Sequence, residues 1–284
     1  MIDLTAAYDR CEEITRNEAK NFAYGIRLLP PDRRKAMAAL YALARRVDDI
    51  GDGDAAVADK LTQLRAVRAS LAAVSVGEHD PDDAVLVALA DASQRYPIPL
   101  EAFGELVDGC EMDCRQSTYE TFEDLVVYCR CVAGSVGRLS LGVFGTEKRA
   151  EAEPLADALG IALQITNILR DVLEDRTSMG RVYLPQADLA QFGCEPDGTG
   201  PTEAMSALIR LEAGRARERY DEGLQLLDLL DHRSRACVAA MAGIYRRLLT
   251  RIEADPAAVL VSRISLPAWE KAWVAARSLA GAGA

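Results

Sequence analysis

Two acidic motifs, far apart in the chain, constrain this sequence more than any other feature. Both have an aspartate at their eighth and twelfth residues, in YALARRVDDIGD (residues 41–52) and QITNILRDVLED (residues 164–175). An α-helix turns about 100° per residue, so the two aspartates of each motif lie one turn apart on one face. Like charges in that arrangement repel by about 0.2–0.5 kcal/mol even when exposed, and burial adds more. A bound cation would remove this cost.

Each acidic pair shares its helix with an apolar face, and each motif also carries an arginine. A single pair of this kind is typical of a solvated helix face, whereas two pairs in the same context favour a shared metal site. Mg²⁺ prefers a few carboxylates together with water and substrate phosphate oxygens. We therefore expect ions that join the protein to a diphosphate group, whose outer oxygens Arg45 and Arg170 could hold.

The composition favours one helical domain. The chain has 284 residues, of which 50% are hydrophobic but only 6% aromatic, and alanine and leucine are abundant. The net charge of −11 argues against nucleic acid as a partner, because phosphate backbones require basic patches. A diphosphate ligand would then need metal ions and a few well-placed arginines.

The apolar periodicity predicts helices over most of the chain and no sheet. Thr121 and Asp124 have the spacing of a helix-capping pair. Residues 176–185 form a polar loop that is long enough to fold over a site. We predict a single all-α domain, residues 1–284, built as a helical bundle around a central apolar cavity. The helices are expected at 3–28, 32–50, 55–76, 82–95, 100–116, 121–143, 147–175, 202–230, 233–253 and 267–279.

The motifs also carry a family resemblance. Three segments, YALARRVDDIGD, YCRCVAGSVG (residues 128–137) and QITNILRDVLEDRTSMGRVYLP (residues 164–185), together resemble the squalene/phytoene synthase family. Its all-α members join two isoprenoid diphosphates head to head. The resemblance extends from about Cys11 to Lys271. The opening segment, residues 8–42, is most similar to the presqualene diphosphate synthases of hopanoid pathways. The family fold and dependence on Mg²⁺ are thereby implied, with two or three ions bound beside the substrate and Mn²⁺ as a substitute.

The resemblance assigns roles by matching motif positions. The implied metal ligands are Asp48, Asp52, Asp171 and Asp175. The implied catalytic residues are Tyr41, Arg45, Tyr128 and Arg170, with the phenol of Tyr128 near the reacting carbons. The implied substrate contacts are Asn21, Phe22, Val132, Ala133, Val136, Gly137, Gln164, Asn167, Tyr245 and Arg263. Asn21 stands where many members have a serine. The small residues around Gly137 indicate close approach either by a ligand or by another helix.

The expected activity is condensation of two farnesyl diphosphates to presqualene diphosphate, a step in squalene and hopanoid biosynthesis. The alternatives are a phytoene synthase that uses two geranylgeranyl diphosphates, and a squalene synthase that completes an NADPH reduction. A class I terpene cyclase is disfavoured because Asn167 does not begin the usual N-D-x-x-S-x-x-x-E spacing. A helical binding protein that has lost catalysis is a further alternative, and it would be expected to lack some of the acidic ligands.

The sequence predicts a cytoplasmic enzyme with at most peripheral membrane contact. The N-terminal residues lack the basic and apolar pattern of a signal peptide. The longest apolar run, Val132 to Gly145, is interrupted by Arg138 and is too short to span a bilayer. Trp269 and Trp273 are expected to pack the last helix down, with a membrane interface as the alternative. Downstream enzymes of the isoprenoid pathway are potential partners.

Overall fold

The computed structural model describes residues 2–281, and within this range the chain forms helices and no β-strand. The predicted all-α fold is therefore confirmed. The α-helices are α1 (Leu4–Glu18), α2 (Phe22–Ile26), α3 (Pro31–Asp52), α4 (Val57–Val76), α5 (Ala84–Arg95), α6 (Ala102–Cys114), α7 (Phe122–Cys129), α8 (Ser135–Phe144), α9 (Arg149–Glu174), α10 (Gln186–Gln191), α11 (Thr202–Gly223), α12 (His232–Ala254) and α13 (Ala268–Leu279). Wider π-helical turns occupy Arg130–Gly134 and Asp175–Met179, and 3₁₀ turns occupy Leu224–Leu229 and Pro256–Leu260.

Side-chain caps set the beginnings of several helices. Thr121 accepts a hydrogen bond from the backbone N–H of Asp124, whose carboxylate in turn accepts from the backbone N–H of Thr121. This capping box confirms the predicted pair. The carboxylates of Asp3, Asp83 and Asp231 cap α1, α5 and α12 in the same way, each accepting from two backbone N–H groups. These contacts satisfy donors that a helix leaves unpaired at its first turn.

The predicted first helix, residues 3–28, is wrong in one respect, because the chain breaks between Glu18 and Phe22. The break redirects α2 so that Gly25 lies directly against α12. A Cβ atom at Gly25 would stand 2.7 Å from the carbonyl oxygen of Cys237, so only glycine permits this approach. The predicted helix 202–230 is also wrong at its end, because the α-helix stops at Gly223 and a 3₁₀ turn follows. Gly223 itself packs against the backbone of Leu159.

Helix α9, which carries the second acidic motif, lies at the centre of the fold. It packs against α8, α11 and α12 and against the π-helical turn that precedes α8. Ile165 and Leu169 on α9 are fully buried. Two glycines let the backbones meet: a Cβ at Gly160 would lie 2.5 Å from the oxygen of Ala133, and one at Gly137 would lie 2.6 Å from that of Ala156. The small residues near Gly137 therefore serve a helix–helix contact.

One continuous helical stretch within residues 2–281, Phe122–Phe144, has the length and apolarity of a membrane span. The protein interior buries 61% of an apolar 18-residue window within this stretch. Leu125, Leu139 and Phe144 are among the buried residues of the stretch. Such burial is typical of a core helix. The assignment of residues 1–284 to one domain stays a prediction, although a single apolar cluster extends from Ala7 to Val274.

Candidate active site

The first acidic motif ends α3 beside α6 and the loop after α9, and these three elements border a solvent-exposed region, the cleft. Asp48 and Asp52 are both exposed to solvent, although protein surrounds Asp48 on most sides. The Sγ atom of Cys110, on α6, lies 3.8 Å from Asp48 Oδ1. The surrounding protein raises the pKa of Asp48, and the negative charge of Asp52 raises it further, against a partial offset from Arg45. Both carboxylates are thus accessible to solvent at the cleft.

The second acidic motif ends α9 among arginines. Arg170 and Arg263 both bind Asp171, with Arg170 Nε 2.8 Å and Arg263 Nε 2.9 Å from its Oδ1. Arg263 also lies 3.4 Å from Glu174 Oε2. Burial raises the pKa of Asp175 to about 7, and the nearby charge of Asp171 contributes. Arg170, which the resemblance implies to be catalytic, and Arg263, an implied substrate contact, therefore lie together at this motif.

Asp113, on α6, is a central residue that the sequence analysis missed. Its carboxylate accepts a hydrogen bond from the phenol of Tyr128 at 3.0 Å and another from that of Tyr183 at 2.8 Å. The negative charge of Asp113 also raises the pKa of both Asp48 and Asp175. Asp113 is therefore within electrostatic range of both acidic motifs. Its only signal in the sequence was its place in the predicted helix 100–116, between two cysteines.

Arg181 connects the two motifs from the loop that follows α9. Its guanidinium donates to Asp52 Oδ1 at 2.8 Å and to the backbone oxygen of Gly51 at 3.1 Å. Its positive charge lowers the pKa values of Asp113 and Asp175 relative to what burial alone would produce. The predicted loop 176–185 therefore does fold over the site. Arg181 and Tyr183 were part of the motif that carried the resemblance, but neither was assigned a role.

The expected diphosphate-binding residues lie on neighbouring helices. Arg45 forms a 2.6 Å ion pair with Asp49, so its guanidinium is held by a carboxylate outside the proposed metal ligands. Burial raises the pKa of Tyr41 to about 12, and the positive charge of Arg45 partly opposes this rise. Phe22 stacks on Tyr245 with ring centroids 5.7 Å apart, which joins α2 to α12.

Tyr128 belongs to a group of three aromatic rings beside Asp113. It stacks on Tyr183 with ring centroids 5.1 Å apart and lies at 5.3 Å from Tyr119. Tyr128 is buried, and burial followed by the charge of Asp113 raises the pKa of its phenol well above the ordinary value. The phenol is therefore neutral and keeps an oxygen lone pair, because its own proton is donated to Asp113.

The expected channel residues are only partly exposed. Val132, Ala133, Val136 and Gly137 occupy the helix between Tyr128 and Arg138. Gly137 and the carbonyl group of Ala133 contact α9, as described above, while a role in lining a prenyl channel stays a prediction for these four residues. A separate small cavity of about 10 Å³ lies beneath the loop after Asp175, between Val172 and Tyr183.

The donor set fits Mg²⁺. Within residues 2–281 no three Asp, Glu, His or Cys side chains are close enough to ligate one ion together. The structure therefore does not bring the four implied aspartate ligands into one set. Mg²⁺ held here would rely on one or two carboxylates with water and phosphate oxygens, ligands that it prefers. Asn167 supports the fit, because its Oδ1 is buried without a hydrogen-bond partner, while its Nδ2 is 3.5 Å from Gln164 Oε1. That oxygen can accept from metal-bound water or ligate an ion directly.

Several known proteins are similar to this chain in sequence and in fold. Phytoene synthase of Mycobacterium tuberculosis is 48% identical over 99% of this chain and 93% of its own length. A crystal structure of a dehydrosqualene synthase in complex with ligand superposes with a TM-score of 0.88, at 29% identity over 98% of this chain and 97% of that chain. The structure of squalene synthase HpnC from Alicyclobacillus acidocaldarius superposes with a TM-score of 0.81, at 32% identity over 88% of this chain and 94% of that chain.

The family model for squalene/phytoene synthase matches residues 15–270, which contain both acidic motifs, Asp113 and Arg181. This span agrees with the extent of the resemblance seen in the sequence. The chain therefore belongs to the squalene/phytoene synthase family.

Proposed function

We propose that this protein catalyses the Mg²⁺-dependent, head-to-head condensation of two prenyl diphosphates. The observation that carries the proposal is the connection of two acidic motifs through Arg181 and Asp113, with Arg170 and Arg263 at their edge. Such an arrangement combines carboxylates for a metal with guanidinium groups for a diphosphate. A helical binding protein that has lost catalysis would have no need of it.

For the substrate we favour two C20 geranylgeranyl diphosphates, the second of the activities expected from the sequence. The support is the similarity to a mycobacterial phytoene synthase, at 48% identity over nearly the whole chain. The C15 reaction that was expected first, from farnesyl diphosphate to presqualene diphosphate, is the second candidate. Its support is the structural similarity to squalene synthase HpnC and to a dehydrosqualene synthase.

The arginines would hold the diphosphate while its bond to carbon breaks. Arg170 and Arg263 already pair with Asp171, so a diphosphate at the metal site would meet both guanidinium groups without a large rearrangement. Bound Mg²⁺ neutralises the diphosphate and makes it a better leaving group. Asn167 and Gln164 would orient water or oxygen ligands next to Asp171. The departing group leaves an allylic carbocation, which attacks the double bond of the second substrate.

We propose that Tyr128 and Asp113 remove the proton that completes the new ring. The Tyr128 oxygen accepts a proton from the substrate carbon, and the C–H electron pair forms the new C–C bond. The phenol proton passes to Asp113 Oδ2, which already accepts the hydrogen bond at 3.0 Å. Tyr183, which donates to the other carboxylate oxygen at 2.8 Å, would position Asp113 for this transfer.

The test is incubation of the purified protein with Mg²⁺ and either labelled geranylgeranyl or labelled farnesyl diphosphate, first without and then with NADPH. We expect release of diphosphate without NADPH and a C40 product from the C20 substrate. Preference for the C15 substrate in direct competition would support the presqualene diphosphate candidate instead. A failure to release diphosphate from either substrate would contradict the proposed function, as would full activity of Asp171→Asn.

A further inference from the structure

A basic cleft between α11, α12 and α13 stands out on this acidic protein. It has a volume of about 300 Å³ and has no carboxylate among its described lining residues. Glu253 and Glu270 lie beside it, where three arginines share these two glutamates: Arg217 donates to Glu253 at 2.9 Å, Arg247 donates to Glu270 at 2.9 Å, and Arg251 donates to Glu270 at 2.5 Å. The arginines that line the cleft are Arg217, Arg246, Arg247 and Arg277.

Exposed tryptophans adjoin these arginines. Trp269 is 71% exposed and Trp273 is 43% exposed, so the expectation that this pair packs the last helix down is wrong. The buried residues of α13 are Glu270, Val274, Ala275 and Ser278, and the two tryptophans extend from a different face. The guanidinium groups of Arg247 and Arg277 lie over the ring of Trp273, at 4.6 and 4.7 Å from its centroid.

The combination of tryptophan with arginine identifies the kind of surface that would be bound. Indole rings favour the boundary between water and hydrocarbon, and clustered arginines attract anionic headgroups. The net charge of −11 would otherwise repel such a surface, so the basic cleft is the part of the molecule suited to approach it. We propose that Trp269, Trp273 and the arginines of this cleft dock the protein onto bilayers that contain anionic lipids.

The position of α13 connects this docking surface to the catalytic site. Helix α13 packs against α12 and α2. These two helices carry Tyr245 and Phe22, two of the expected substrate contacts, whose rings stack on each other. Helix α13 thus has residues of the docking surface on one face, while its buried face packs among helices that carry expected substrate contacts. Docking through this helix would hold the catalytic cleft beside the bilayer, where prenyl chains partition.

Vesicle co-sedimentation without substrate tests docking separately from catalysis. The probes are phosphatidylcholine vesicles and vesicles with added phosphatidylglycerol, each at low and at high salt. We expect binding to the anionic vesicles only, weakened by salt because charges attract the protein. For Arg277→Glu we expect binding about fivefold weaker or more, from a loss near 1 kcal/mol per basic residue. Trp269→Ser should weaken binding at both salt concentrations.

Two control variants on α4 have matched chemistry. Arg65→Glu reverses another exposed arginine, and Val76→Ser removes another exposed apolar residue, one that is 68% exposed. Both should bind vesicles as the unmodified protein does. Equal losses in Arg65→Glu and Arg277→Glu, or no binding to anionic vesicles at low salt, would overturn the proposal. Release from vesicles by millimolar inorganic diphosphate would also overturn it, in favour of a soluble anion as the ligand.

Discussion

Arg181 holds Asp52 through a 2.8 Å hydrogen bond, and so attaches the loop after the second acidic motif to the end of the first. The same guanidinium also donates to the backbone oxygen of Gly51. Its side chain is only 11% exposed, so water has little access to the carboxylate contacts that Arg181 makes. Arg181 therefore supplies positive charge where carboxylates of both motifs come within range of one another.

Replacing Arg181 with glutamine should destabilise the protein by about 1–3 kcal/mol in the absence of Mg²⁺, because charged hydrogen bonds are lost and carboxylates stay unbalanced. Mg²⁺ with diphosphate should recover part of this loss. Thermal unfolding with and without these ligands is the measurement. Arg115→Gln is the control, since Arg115 is 54% exposed and pairs with Glu111 on the surface. Equal shifts in both variants would contradict a special role for Arg181.

Asp48 and Asp49 are adjacent exposed aspartates with different expected roles. Asp49 pairs with Arg45 at 2.6 Å, whereas Asp48 faces Cys110 in the cleft. We expect Asp48→Asn to abolish the rise in melting temperature produced by Mg²⁺ and diphosphate, while Asp49→Asn retains most of it. Differential scanning fluorimetry measures both without a catalytic assay. If the two variants respond alike, Asp48 is not a metal ligand.

Asp113→Asn should lower kcat by about a hundredfold with little change in KM, as expected for loss of a proton acceptor. Asp108→Asn, on the exposed surface of the same helix, should have no effect. A double-mutant cycle with Tyr128→Phe tests the proposed relay, because residues that act through one another lose activity non-additively. Additive losses in the double variant would show that Asp113 and Tyr128 act independently.

Gly160→Ala should destabilise the protein by about 2–4 kcal/mol, because the new methyl group would overlap the Ala133 carbonyl and backbone adjustments are costly in a packed core. Gly214→Ala is the matched control on α11. Its added Cβ would meet nothing within 4 Å, so we expect stabilisation by about 0.5–1 kcal/mol from helix propensity alone. Urea unfolding of both variants distinguishes a steric requirement from a general effect of removing glycine.

Glu212 makes stability depend on pH. It is buried on α11, and burial raises its pKa to about 7, with the charge of Asp188 adding to the rise and Arg215 opposing it. A raised pKa in the folded state means that stability is greatest below the unfolded pKa and is lost as pH rises to about 7. As pH rises from 4 to 8, the free energy of unfolding of Glu212→Gln should therefore increase by about 1–3 kcal/mol relative to that of the unmodified protein. Urea unfolding across this range would show no such trend if Glu212 stayed ionised.

The helices were predictable because apolar periodicity and capping pairs such as Thr121 and Asp124 are local signals. The break before Phe22 was not, since its cause is the contact of Gly25 with Cys237, far away in the chain. The same distinction applies to the site. The spacing within each acidic motif identified its aspartates, whereas Asp113 owes its position to the packing of α6 and has no repeat or motif of its own. The exposure of Trp269 likewise depends on which face α13 turns towards α12.

The Arg181–Asp52 contact also carries a thermodynamic consequence. A divalent ion and this guanidinium compete for the same carboxylate, so each must weaken the hold of the other by an equal factor. The order of residues 176–185 is thereby linked to the concentration of magnesium in the surroundings. Substitutions that loosen this segment, even far from the cleft, should raise affinity for the ion while leaving every ligand in place.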